Sequence, residues 1–184
     1  RNKAIAINLR GHGHRLEKEY PAAIAAYREA LKIHQSISPE SDDVAVDLGY
    51  LAKAEHLNKD YPAAEHDYRE ALRIAKRTLR EDKVAETTGN LAEIILDRKQ
   101  WAEAESLARE ALPLAEKVGR QELIAFDCNR IAKALLKQNK NLEEALALSR
   151  RSIEIYTRLR VQDDLQEAKE TLAEIEAKIK ENGE

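Results

Sequence analysis

The chain has 184 residues, 43% of them hydrophobic and 4% aromatic, with 31 Lys and Arg against 34 Asp and Glu. No stretch nears the roughly 18–20 apolar residues of a membrane span, no charged-then-apolar start supports secretion, and near-neutral charge is a poor match for general nucleic-acid binding. With 29 Ala and 22 Leu against 6 Gly and 4 Pro, the composition leans to helix and leaves few β-branched or aromatic runs for a sheet.

In chain order, the first expected element is a helix pair over residues 3–39. Its second helix opens with Tyr20-Pro21-Ala22-Ala23. In its first helix Arg10 stands where later repeats carry Leu51, Leu91 and Ile131. Gly11 and Gly13 weaken that helix by roughly 1 kcal/mol each relative to Ala, so it either bends there or leans on an upstream repeat. The second pair covers 42–80 and repeats the first closely: ten of fourteen positions from Tyr20 and from Tyr61 are identical. The third pair, 82–119, carries Trp101 at the same place, and the fourth, 122–160, carries Leu142. These anchors lie 41, 40 and 41 residues apart. A second series of segments, starting at Val44, Val84, Ile124 and Leu165, has spacings of 40, 40 and 41. The last expected element is a capping helix over 163–181, or the first helix of a fifth, cut pair, with Leu165, Ala168, Leu172, Ile175 and Ile179 as one apolar stripe.

Two interleaved series with one period define a repeat array. Each segment is apolar at helical spacing, as in Val44, Leu48, Leu51 and Ala52. Links as short as Asn58-Lys59-Asp60 require antiparallel neighbours. The small residues Ala23, Ala64, Ala104 and Ala145 recur where two helices can approach closely, and Tyr27 and Tyr68 sit one turn on. Pro21 and Pro62 suit a first helical turn. Ser38-Pro39-Glu40-Ser41 offers a cap to the next pair, Pro113 should kink its helix, and Gly119 should end it in a left-handed turn. One helix pair cannot bury its apolar face alone, so pairs must stack. The expected fold is an all-α, right-handed α-solenoid of antiparallel helix pairs, a single array over 1–184 with four pairs plus a C-terminal capping helix. A start at Arg1 and the lack of any Met read as a piece of a longer protein.

Catalytic signatures are missing from the sequence: no Gly-rich phosphate loop, Gly-x-Ser-x-Gly or HExxH. Acidic pairs such as Asp42-Asp43 and Glu143-Glu144 suit helix starts. We therefore expect no enzyme and no cofactor. His12 and His14 point about 200° apart on a helix and cannot share one metal ion, with no carboxylate expected beside them. His34, His56 and His66 read as scattered. The lone Cys128 excludes an intramolecular disulfide, fits a reducing compartment and reads as a packed, unreactive thiol. The basic runs Arg73-Lys76-Arg77-Arg80 and Arg150-Arg151-Arg158-Arg160 are interrupted by acids and read as solvated faces.

These residues resemble the tetratricopeptide repeat (TPR). The resemblance rests on Leu51-Ala52, Leu91-Ala92 and Ile131-Ala132 in the first helices, the aromatic-x-x-Ala of the second, and the closing Ala30-Leu31, Ala71-Leu72 and Ala111-Leu112. The period exceeds the usual 34 residues and is similar to the longer repeats of kinesin light chains and of bacterial NLR-like signal-transduction ATPases. The resemblance implies a protein or peptide partner on a concave face lined by first helices. Carried over by position, the expected partner-binding residues are Asn8, His12 and Arg15; Gly49, Lys53 and His56; Gly89, Glu93 and Leu96; and Asn129, Lys133 and Leu136. Glycine at two of these sites would bring backbone close to a ligand or soften the helix. A clamp for a C-terminal carboxylate is not reproduced, since Gly49 and Gly89 stand where Asn is needed. The expected role is the sensor or docking part of a larger cytoplasmic signalling protein, with no membrane partner. The alternative is an architectural spacer or end-to-end self-associating array, read out at Leu172 and Ile175, and nucleic-acid binding ranks below both.

Overall fold

The computed structural model describes residues 2–183. Among them are nine α-helices and no strand: α1 (Asn2–Leu16), α2 (Tyr20–Ile37), α3 (Asp42–Leu57), α4 (Tyr61–Arg77), α5 (Glu81–Asp97), α6 (Trp101–Lys117), α7 (Gln121–Lys137), α8 (Leu142–Leu159) and α9 (Gln162–Gly183). The chain divides into two compact units, one ending at Thr87 and the other beginning at Thr88.

The helix ends follow local chemistry that composition hides. Within the pairs, Lys18, Lys59, Lys99 and Asn139 all have left-handed backbone, with φ of 61°, 64°, 61° and 50°. Between pairs, Leu79, Gly119 and Arg160 do the same, and Gly119 is the one glycine among them. The reversed residue lets the next amide reach back into the finished helix, as Asp60 N–H does to the Glu55 carbonyl at 2.9 Å and Gln100 N–H to that of Ile95 at 3.0 Å. Asp60 also caps α4 by accepting from the Ala63 amide. Ser41 stands at the start of α3 in extended backbone, but its hydroxyl makes no cap; that expectation is corrected. Pro21 and Pro62 lie in first turns, while α6 runs through Pro113 for four more residues to Lys117.

In the first unit, α1 packs on α2, α2 on α3 and α3 on α4. Its core joins Ala23, Ile24, Tyr27 and Leu31 of α2 to Val44, Leu48, Leu51 and Ala54 of α3 and to Ala71 and Ile74 of α4. A second cluster seats Ala4 and Ile7 of α1 on Ala26 and Ala30 of α2. In the second unit, α7 packs on α6, on α8 and on α9, and α8 on α9. Its core gathers Ile131, Leu135 and Leu136 with Ala92, Ala108, Ala145 and Ile175. Ala23, Ala64, Ala104 and Ala145 have no exposed surface, because a larger side chain there would hold the paired helices apart. Ile175 is likewise wholly buried. It therefore reports on folding and is no probe of stacking at an open end, a correction to its expected use.

Helix α1 is continuous through both its glycines. A Cβ on Gly11 would stand 2.7 Å from a ring carbon of Tyr27, whereas one on Gly13 would meet nothing within 4 Å. Tyr27 is fully buried and cannot step aside. Gly11 is thus the socket for Tyr27 rather than a weak point. Gly13→Ala should raise stability by roughly 0.5–1 kcal/mol through helix propensity. Gly11→Ala, two residues away, should lower it by about 1–2 kcal/mol, since overpacking exceeds that gain. Urea unfolding of the two variants checks the opposite signs.

Candidate functional site

The basic runs decide what the surface offers. Arg73 pairs with Glu40 and Glu70, both at 2.7 Å, Arg77 with Glu40 at 2.9 Å, and Arg80 with Asp42 and Asp82. In the second unit Arg109 reaches Glu144 at 2.8 Å, Arg151 reaches Glu116 at 2.6 Å and Arg150 reaches Glu176 at 3.5 Å. Arg109–Glu144, Arg151–Glu116 and Arg150–Glu176 tie helices of successive repeats together, whereas Arg73–Glu70 lies within α4. Neighbouring cations hold Glu40 and Glu144 below the usual carboxylate range, chiefly through hydrogen bonds from Arg73 and from Arg109. Arg73, Arg77, Arg80, Arg150 and Arg151 are therefore held by neighbouring acids rather than standing bare. Cys128 is fully buried, and burial pushes its thiol up to about 11, the environment of an unreactive cysteine. His14 corrects an expectation: Glu17 and Glu19 bring carboxylate oxygens within 4.8 Å of its ring nitrogen, an exposed group.

In the first unit, α1 and α3 carry six of the expected partner-binding residues. Asn8 is buried, and its amide donates to Asp47 Oδ1 at 2.6 Å. His12 is half-buried, its Nδ1 3.1 Å from the Tyr27 hydroxyl and its ring edge-on to Tyr50, with centroids 4.5 Å apart. Burial, helped by the charge of Arg15, lowers the His12 pKa, so the ring is neutral at pH 7. Arg15 is half-buried beside Tyr27. Gly49 and Lys53 are half-buried, and His56 is buried with its ring 5.7 Å from that of Tyr61. Sequence reasoning missed the group that organises this face. Asp47 is 1% exposed and holds both Asn8 and His34, whose Nδ1 lies 2.7 Å from Asp47 Oδ2. Burial raises the Asp47 pKa, and the two hydrogen bonds partly pull it back.

In the second unit, four of the six expected residues meet at one cleft of about 430 Å³. Leu96 of α5 and Leu136 of α7 line it together with Trp101, the chain's one tryptophan. Glu93 and Lys133 stand on its rim as halves of ion pairs. Glu93 holds Arg130 at 2.9 Å, and Lys133 holds Glu167 of α9. One turn on, Lys137 pairs with Glu174 at 2.8 Å. Helix α9 thus occupies the first-helix place of a further pair, closing the cleft on the α7 side. The remaining two residues do not face the cleft. Asn129 is buried, its amide reaching Glu167 at 3.4 Å, and Gly89 is buried against α7, where a Cβ would stand 2.5 Å from Asp127 Oδ1. The close backbone approach expected at Gly89 is therefore made to Asp127. Of the cleft's lining, Trp101, Arg130, Glu167 and Glu174 went unnoticed as site residues. Trp101 stands in the anchor series of the second helices, and the place of α9 beside α7 fits the alternative of a first helix of a further pair.

Antiparallel helix pairs with one residue register throughout define an all-α helical-repeat protein. A family profile, the tetratricopeptide repeat, matches residues 3–77 and 83–158. The chain belongs to the tetratricopeptide repeat family. A search of curated protein sequences gave no significant match. Among solved structures, BtubC (BKLC) from P. vanneervenii superposes with a TM-score of 0.77 at 22% identity, covering 94% of this chain and 71% of that one. A Rap protein complexed with competence and sporulation factor gives 0.80 at 17% identity, over 96% of this chain. Repeats described as those of a Podospora anserina kinesin light chain give 0.71 at 18%, covering 98% and 96% of the two chains. These likenesses establish the fold, an all-α helical-repeat solenoid, and this chain spans 49% of the Rap protein. The fold class is that of protein-interaction repeat modules. Among the described residues no helix is long and apolar enough to cross a membrane.

Proposed function

We propose that the chain is a non-catalytic interaction module that binds an extended segment of a protein partner on its first-helix face. The observation that carries this reading is the cleft between α5, α7 and α9. Its apolar floor of Leu96, Leu136 and Trp101 is ringed by paired charges, the pattern of a site that takes an apolar side chain and aligns a polar backbone around it. Because Lys133 and Lys137 each already hold an acid, the rim favours a segment of mixed polarity over a strongly charged one. The Rap protein solved with a bound factor supports the use of such a fold for capture. In a longer parent, the module would serve as the sensor or docking part of a cytoplasmic signalling protein, in keeping with its single reduced thiol.

Trp101 supplies the test. Peptides selected from a random display library against the chain should quench its fluorescence saturably. Lys133→Glu and Lys137→Glu, which set like charges against Glu167 and Glu174, should together weaken that binding at least about tenfold while the helical circular dichroism persists. Peptides that bind without changing Trp101, or that ignore both substitutions, would move the site elsewhere. The self-association reading draws on α1, where Ile5, Leu9 and Leu16 are 50%, 67% and 74% exposed. A sedimentation coefficient that rises with concentration and falls back in Leu16→Glu would favour it.

A further inference from the structure

We propose that Glu55 of α3 and Asp67 of α4 share one proton and, with Arg28 of α2, form a pH-sensitive clasp across the first unit. Glu55 is 1% exposed, and its Oε1 accepts from the Arg28 guanidinium at 2.7 Å. Its Oε2 is buried and takes no hydrogen bond from any N–H or hydroxyl among the described residues. The Glu55 and Asp67 carboxyl groups hydrogen-bond each other. Two carboxylates are acceptors only, so that contact requires a proton on one of them. Buried like charges at such a distance cannot both ionise. Together the two carboxyl groups then carry one negative charge, which Arg28 balances.

The repeat shows that the fold does not need this pair. The same two positions hold Ile95 and Leu107 in the third pair and Leu135 and Leu148 in the fourth, side chains that no pH change can charge. Glu55, Asp67 and Arg28 line a cleft of about 440 Å³ between α2, α3 and α4, with His66 and Glu70 on the α4 wall. Burial, and next the charge of Asp67, pushes Glu55 up to about 7, against the pull of Arg28. Burial raises Asp67 too, and Glu70 adds to it, while His66 at 4.0 Å, the Glu55 hydrogen bond and Arg28 pull it back. The unfolded chain releases both protons at roughly pH 4. The folded chain keeps a proton that the unfolded chain has lost, so the contact stabilises fully in acid and weakens as the pH rises through neutrality. Above that point two buried negative charges face one guanidinium, and α4 parts from α3 far enough to admit water to them.

The test follows the Glu55 Cδ and Asp67 Cγ resonances of the carbon-13-labelled 184-residue chain from about pH 3 to about pH 9. The two carbons should move together in one step near neutral pH. Glu55→Gln keeps the volume and offers Asp67 an N–H donor at every pH, so the step should vanish. Arg28→Gln withdraws the balancing charge and should move the step up by at least about half a pH unit. Hydrogen exchange at the amides of α3 and α4, corrected for hydroxide catalysis, should rise at least about threefold between about pH 6 and about pH 8 in wild type and stay flat in Glu55→Gln. Glu55→Ile with Asp67→Leu, which copies the third pair, should be equally flat and stands in for the glutamine variant if that one does not fold. Separate ordinary steps below about pH 5 at the two carbons would overturn the shared proton. So would a neutral step that survives in Glu55→Gln or stays in place in Arg28→Gln. A neutral step without any change in exchange would overturn the clasp.

Discussion

Replacing Asp127 by Asn will free the protein's stability from a pH dependence that wild type carries between about pH 4 and pH 8. Asp127 is 1% exposed, and among the described residues neither of its carboxylate oxygens has a hydrogen-bond partner. Burial pushes it up to about 8, with only the charge of Arg130 pulling the other way. The folded chain thus holds a proton that the unfolded chain, with its ordinary carboxylate pKa near 3.9, has released. Proton uptake by the folded state means stability is full at low pH. It falls as the pH rises through this window and levels off above the folded pKa. Four units at about 1.4 kcal/mol each bound the loss at roughly 5 kcal/mol. In Asp127→Asn the same volume carries no charge. Its midpoint in urea should therefore match wild type near pH 4 and exceed it increasingly up to pH 8.5. Parallel curves for the two proteins would show that Asp127 is solvated in the folded state. Every other titrating group is common to both chains and cancels in the difference.

Removing His34 should produce the opposite kind of loss. Asp47 occupies the same repeat position as Asp127, eighty residues earlier, yet it is held by Asn8 and His34. The residues that match those partners beside Asp127 are Gly89 and Ala115, which offer it nothing. His34→Phe keeps the ring volume but leaves a buried carboxylate with one partner, and should lower stability by roughly 2–4 kcal/mol at pH 7. The loss should shrink in acid, where Asp47 takes up a proton. Adding Asp47→Leu should recover part of it, because an apolar pair leaves no charge to solvate. If the double variant is as unstable as the sum of the singles, the His34–Asp47 contact contributes nothing.

The repeat and its helices were legible in the sequence, for a physical reason. Helical amphipathicity recurs every few residues and the pair recurs every 40 or 41, so each unit states locally which face it must bury. The buried Ala23, Ala64, Ala104 and Ala145 follow from that register alone. Most of the site did not, because its chemistry depends on which helices touch. A histidine in the second helix of one pair and an aspartate in the first helix of the next carry no shared signal along the chain, so nothing in the sequence marks His34 and Asp47 as partners. Gly11 looked like a weakness until the ring of Tyr27 was seen to fill its missing side chain. Four expected cleft residues did converge in the second unit, since first-helix positions at equal register share a face. The acids of α9 that complete the cleft entered only through packing. Periodicity along one helix determined which residues point inward; only the contact between helices decided which of them meet a partner, and Asp47 and Asp127 differ in that alone.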